Sequence, residues 1–150
     1  PHHMMLTKKD VFLDKSINPH HFCMPVVKNE EDLIALRNFA TSGNKKFFLG
    51  TDSAPHPIEF KVPNLKSKPG IFSAPCSIEI YASIFDEEKS LDNLEKFCSI
   101  NGPKFYKLPV NADQIELIEE RWTVPEHTIH QEIKIKNFMG GKELNWKLKA

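Results

Sequence analysis

An aspartate and a histidine four residues apart, just past a short apolar run, are the side chains of this 150-residue chain best suited to chemistry. The run Lys45-Lys46-Phe47-Phe48-Leu49 leads through Gly50 and Thr51 into Asp52, Ser53, Ala54, Pro55 and His56. In an α/β barrel, side chains at the C-terminal ends of strands converge on a shared mouth, so a carboxylate there points to catalysis more than to packing. An ionised carboxylate in that place ligates a divalent cation or accepts a proton. Gly50 lets the backbone turn, and Pro55 and Pro57 stiffen the loop that carries His56. An imidazole held in this way suits a charge-assisted hydrogen bond to an anionic group. The plainer reading of Asp52 is a cap on the next turn. It explains the carboxylate alone and leaves the rest of residues 50–56 without a reason.

Other groups of the same chemical kind are weaker candidates. His20 and His21 are expected on a strand, where successive side chains face opposite ways, so the two do not readily share one ion. His127 and His130 fall in the polar tail and are expected as solvated surface. Cys23, Cys76 and Cys98 are odd in number and widely spaced among apolar neighbours, which suits reduced cytosolic thiols rather than a disulfide framework.

The elements that must position these residues follow from pattern. Residues 22–27 are almost continuously apolar, as in a strand covered on both faces. Asn29 can cap a following helix, with Glu30, Glu31 and Asp32 at the positive end of its dipole. Leu33, Leu36 and Ala40 recur at helical spacing, and Gly43 stands where a left-handed stop is needed. A strand over 46–50 completes a strand, helix, strand unit, which implies parallel strands and a right-handed crossover. Residues 53–75 hold five prolines and little periodicity, and predict a long ordered loop of the kind that carries function. Ile78, Tyr81 and Phe85 mark one amphipathic helix. Leu91, Leu94 and Cys98 mark another, capped by Ser90 and ended by Asn101-Gly102. Beyond Pro109, residues 115–124 are compatible with a strand. Residues 132–136 and 144–149 alternate around Gly140-Gly141 as a hairpin.

Composition narrows the class. Twenty basic residues against twenty acidic give a net charge of zero, which speaks against an electrostatic nucleic-acid binder. No apolar run approaches the ~18 residues a membrane span needs. With 40% hydrophobic and 27% charged residues the material is that of an ordinary globular protein.

The heptapeptide Gly50-Thr51-Asp52-Ser53-Ala54-Pro55-His56 resembles the last-strand signature of dihydroorotases, metal-dependent amidohydrolases of the single-domain bacterial and fungal type. Pro1-His2-His3-Met4 resembles the end of that family's Thr-Pro-x-His-Leu segment. His20-His21-Phe22-Cys23-Met24-Pro25-Val26-Val27-Lys28 resembles its Pro-x-x-x-Cys-x-Pro-x-x-Lys strand. Asn101-Gly102-Pro103-Lys104-Phe105-Tyr106-Lys107-Leu108-Pro109 resembles its Asn-Gly-Pro-x-Phe-Tyr-x-Leu-Pro stretch. Together these motifs cover most of residues 1–110 in the right order, and residues 111–150 resemble the family more weakly.

The resemblance implies an α/β fold, the C-terminal portion of a (β/α)8 barrel over residues 1–110 with a small β-containing tail over 111–150. It implies barrel strands ending near His3, near Met24 and at Asp52. A complete barrel takes roughly 250 residues, so the chain is expected to be the C-terminal part of a longer protein. The family's His-x-His pair, its bridging lysine, expected to be carboxylated, and a further ligand histidine would then lie upstream. The implied activity is reversible cyclisation of N-carbamoyl-L-aspartate to L-dihydroorotate in de novo pyrimidine synthesis, in a cytoplasmic homodimer with a binuclear Zn²⁺ site. The partner is a small molecule, with neither nucleic acid nor membrane. Residue by residue, Asp52 matches the metal ligand that also handles a proton, and His3 the ligand of the second zinc. His56 matches a contact to the substrate carboxylate, while Met24 and the pair Pro69 and Gly70 match backbone contacts. The loop before Gly70 departs from the family, whose own is often rich in Cys and Gly. Two other readings stand beside this one: a non-catalytic piece that keeps the barrel's shape, and a different cyclic amidohydrolase such as a hydantoinase or allantoinase.

Overall fold

The computed structural model describes residues 1–149. Helices dominate the first two thirds and antiparallel strands the last. Lys8–Val11 is a single-turn helix, α1, whose Val11 is fully buried while Phe12 and Leu13 beyond it are exposed. Glu30–Thr41 is α2, with the Asn29 amide donating to the Asp32 carboxylate at its start and Gly43 in the left-handed region (φ 73°) after its end. Start and stop therefore fall where capping chemistry places them. Ser77–Glu87 is α3, which buries Ile80, Tyr81, Ile84 and Phe85 at helical spacing and forms the centre of the core with Val11, Ile71, Val124 and Phe138.

The second predicted helix runs further than expected. A 3₁₀ turn at Leu91–Asn93 passes into a π-helical stretch, Lys96–Ile100, and then into α4, Asn101–Tyr106. Asn101-Gly102 does not end it. Lys107 does, at φ 57°. The reason is Pro103, which lacks an N–H and whose ring clashes with the carbonyl four residues back in a regular helix. Widening the preceding turn, with the Asn101 amide reaching the Lys96 carbonyl, admits the proline without breaking the rod.

Two predicted strands are not strands. Residues 22–27 and 46–50 make no ladder with each other, with a bend at Met24-Pro25 and a turn at Lys45-Lys46, and His20 and His21 lie in a 3₁₀ turn, Pro19–His21. A strand is made by its partner's backbone groups, and here those groups are taken by loops. The Phe22 carbonyl accepts from the Gly70 amide, the Lys28 carbonyl from the Lys8 amide, and the Leu49 amide donates to the Phe97 carbonyl. Pro25 has no N–H to give to a ladder.

The tail is β-structure paired otherwise than predicted. Leu117–Thr123 (β1) pairs antiparallel with Glu143–Leu148 (β4), and His127–His130 (β2) with Ile133–Lys136 (β3). The two segments flanking Gly140-Gly141 thus belong to different pairs, and no hairpin joins them. The tight turn is at Gln131 (φ 47°) and Glu132 (φ 70°), two successive left-handed residues as in a type I′ hairpin. That turn favours Asn-Gly, so Gln-Glu hid it. β4 docks on α3, with the Trp146 indole N–H donating to Asp86 (3.3 Å) and the Leu148 amide to the buried Glu79 (3.4 Å). No helix among the described residues is long and apolar enough to cross a membrane.

Candidate active site

The chain's first turn supplies one wall of the site. His2–Met4 forms a 3₁₀ turn, and Arg37 of α2 secures it by donating from Nε to the Met4 carbonyl (2.8 Å) while its guanidinium pairs with Glu87 (2.7 Å) and Glu88 (3.3 Å). One side chain therefore ties the histidine-bearing turn to α2 and to the end of α3.

The opposite wall is the segment leading to Asp52, held at three backbone groups. Asn101 Nδ2 donates to the Phe47 carbonyl (3.0 Å), the Leu49 amide to the Phe97 carbonyl (3.0 Å), and the Tyr81 hydroxyl to the Gly50 carbonyl (3.3 Å). Past Asp52, Ser53 Oγ accepts from the Ser73 and Ala74 amides at 3.1 and 3.0 Å. Asp52 itself sits in the left-handed region (φ 46°), which Asp and Asn tolerate better than other side chains with a Cβ. Its side chain is exposed and accepts no hydrogen bond among the described residues. His3 and Asp52 line the same cavity of about 290 Å³, with Phe47, Phe48 and Phe97 as its apolar part. The negative charge of Asp52 acts on His3, though burial dominates and holds the His3 imidazole below its ordinary range.

His2, His3 and Cys23 bring three metal-capable atoms within 4.8 Å of one another. His2 is 1% exposed and neither ring nitrogen has a partner. Burial pushes its imidazole down to about 3, so it stays neutral and able to ligate. Cys23 is the poorer ligand, because burial raises its thiol and the S–H is spent on the Pro25 carbonyl (3.4 Å). His2 and Cys23 were not singled out from the sequence. The signal for Cys23 was its place in the Cys-x-Pro motif beside Met24, and for His2 its adjacency to His3. The His21 ring nitrogen meets the Asn18 amide (3.0 Å), and His20 lines a separate recess together with His56, Lys61 and Gly70, so His56 does not line the cavity of His3 and Asp52. His127 and His130 lie on β2, far in sequence from the cavity, and His130 is exposed.

The loop over 53–75 is ordered, with only short 3₁₀ turns at Ile58–Phe60 and Ala74–Cys76. Within it His56 Nε2 donates to the Pro69 carbonyl (2.9 Å). A carbonyl accepts only, so Nε2 carries the proton and Nδ1 is the free nitrogen. Gly70 (φ 147°) lies so close that a Cβ on it would come within 2.7 Å of the Ala54 carbonyl and 2.9 Å of His56. Only glycine fits there. Met24 is 58% exposed, with its side chain free of the core. Lys61, which sequence reasoning passed over, is 9% exposed with its ammonium on the carbonyls of Phe22, Lys68 and Gly70. Nothing in a Pro-rich polar loop marks such a lysine as buried.

No protein-family model matches the chain. Curated proteins do. The dihydroorotase of Nitrosomonas europaea is 46% identical over 147 residues, covering 98% of this chain and 42% of that protein. The dihydroorotase of Coxiella burnetii is 43% identical over 150 residues, again with 42% of its length covered. Among solved structures, the Saccharomyces cerevisiae dihydroorotase in complex with 5-fluoroorotic acid matches 99% of this chain and 41% of its own, with a TM-score of 0.90 and 34% identity. The Campylobacter jejuni dihydroorotase gives a TM-score of 0.85 and 37% identity over 99% of this chain and 43% of its own. The chain spans about two-fifths of the length of the relatives it matches. Its α/β fold is that of the corresponding portion of these enzymes, and the chain is, from end to end, a homologue of the C-terminal part of dihydroorotases.

Proposed function

We propose that this chain is the C-terminal portion of a dihydroorotase, a metal-dependent cyclic amide hydrolase that interconverts N-carbamoyl-L-aspartate and L-dihydroorotate. The observation that carries the reading is the convergence of His3 and Asp52, 49 positions apart in sequence, on one cavity of a chain that dihydroorotases match throughout. Residues 1–110 are its share of the barrel and residues 111–150 its tail. Activity then requires the upstream ligands, and the reading carries with it a cytoplasmic homodimer.

An imidazole whose Nε2 meets only the Cys23 sulfur (3.8 Å) and a carboxylate without an internal hydrogen bond are a donor set zinc takes, so the residues present fit a binuclear zinc site to which His3 and Asp52 would each contribute. When bound, the metal polarises the ring amide carbonyl and activates water. The chain's own residues do the remainder. Asp52 accepts the proton released by the attacking water and returns it to the leaving ring nitrogen. His56 holds the substrate carboxylate through Nδ1. With Nε2–H committed to Pro69, Nδ1 is the ring nitrogen left to face the substrate. The Met24 and Pro69-Gly70 backbones hold the ring's polar edges, and the Gly70 geometry lets that main chain pass close under His56. The yeast relative's complex with 5-fluoroorotic acid supports a pocket for a carboxylated pyrimidine.

The test is turnover by the purified full-length protein that contains this chain. Consumption of L-dihydroorotate, with none of hydantoin or allantoin, is expected. A preference for either alternative would replace the reading by that amidohydrolase, and no turnover of any would favour the non-catalytic one.

A further inference from the structure

We propose that Lys61 is a positioning residue whose ammonium fixes the main chain of the two backbone segments that meet the substrate. The inference rests on the function proposed above. The Lys61 Nζ donates to the Gly70 carbonyl at 2.7 Å, the Lys68 carbonyl at 2.9 Å and the Phe22 carbonyl at 3.5 Å. Its three protons are matched by three acceptors, and all are backbone. No acidic side chain pairs with it among the described residues, so the charge is not there to make a salt bridge.

The acceptors are placed where they matter. Phe22 lies two residues before Met24, and Lys68 and Gly70 bracket Pro69. The Phe22 carbonyl also receives the Gly70 amide (2.9 Å), so Lys61 sits where the two segments are hydrogen-bonded to each other. The lysine is itself anchored, its amide on the Ile58 carbonyl (3.0 Å) and the Lys68 amide on the Phe60 carbonyl (3.0 Å). The chain thus closes a loop of residues 60–70 around its own ammonium, with His56 bonded to Pro69 on the outer side. Burying an ammonium is costly unless it is fully hydrogen-bonded. A lysine kept at 9% exposure on three carbonyls is therefore a device for holding those carbonyls in one place. A planar guanidinium does not aim three donors at one such cluster, so arginine is not equivalent.

The experiment compares full-length wild type with Lys61→Met, which keeps the stem and removes the donors, and with Lys61→Gln as a second variant should the first fold poorly. KM for L-dihydroorotate is expected to rise about tenfold or more with kcat within about threefold, the size that loss of charge-assisted bonds and uniform binding predicts. In parallel, hydrogen exchange at the Gly70 amide is expected to quicken at least about tenfold while amides of α3 stay unchanged. An unchanged KM with unchanged Gly70 exchange overturns the proposal. So does faster exchange throughout α3, which makes Lys61 a general stability residue, or a fall in kcat with KM unaltered. A wild-type protein that does not turn over dihydroorotate would sink the function proposed above, while Gly70 exchange would still decide whether Lys61 clamps the loop.

Discussion

Asp52 combines two properties that seldom meet in one residue: a left-handed backbone and a carboxylate without an internal partner. The first explains why the sequence could name it, since a Gly-Thr-Asp turn after an apolar run advertises a sharp change of direction. His3 and His56 stand out as candidates for similar local reasons, one in a Pro-His-His run and the other between prolines. Lys61 and His2 were not, because burial is decided by segments remote in sequence. Two outcomes follow at this scale. His3→Ala in the full-length protein should lower bound zinc per folded chain, read by atomic emission after dialysis, with one ion lost before the other. Unchanged metal content would remove His3 from the ligand set. His56→Ala should raise KM more than it lowers kcat, for a loss of roughly 10- to 100-fold in kcat/KM, because a donor to the substrate carboxylate acts in ground and transition states alike. Collapse of kcat alone in steady-state kinetics would instead put His56 in the proton transfer.

Between elements, the site is held by side chains reaching across to backbone. Asn29, Gly43 and the apolar face of α3 gave those helices away, because caps and spacing are local. Segments 22–27 and 46–50 read as paired strands in sequence but are not, for the opposite reason: pairing is a property of neighbours, and backbone groups of Phe22 and Leu49 are claimed by Gly70 and Phe97. The hairpin at Gln131-Glu132 and the π turn before Pro103 were hidden for want of a local signal. The loop over 53–75 carries a pH dependence with a definite sign. Burial pushes Lys61 down to about 8 from 10.5, so between those values the unfolded chain holds a proton that the folded chain has released. Stability contributed by this residue therefore rises as pH climbs through that window, by an amount on the order of 3 kcal/mol in full. Urea unfolding of wild type against Lys61→Met should show the difference between them shifting toward wild type from pH 8 to pH 10. A difference that stays flat would mean the ammonium is not buried in solution.

At the scale of the molecule, the chain brings a histidine from its first turn and an aspartate from residue 52 to one cavity, and the helices behind them serve to fix both. That α/β arrangement agrees with the expectation from the motifs, and with dihydroorotase structures at TM-scores of 0.90 and 0.85. The motifs sat at loop and strand ends, where sequence speaks directly of turns and chemistry, which is why the family was legible even where strand pairing was not. If Asp52 moves the proton in cyclic amide hydrolysis, Asp52→Asn removes that step alone at the backbone level, since Asn keeps the left-handed conformation and the shape but cannot take the proton. In the full-length protein, kcat for L-dihydroorotate should fall by at least about 10²-fold while circular dichroism and thermal midpoint stay near wild type. Turnover close to wild type in the folded variant would contradict the account.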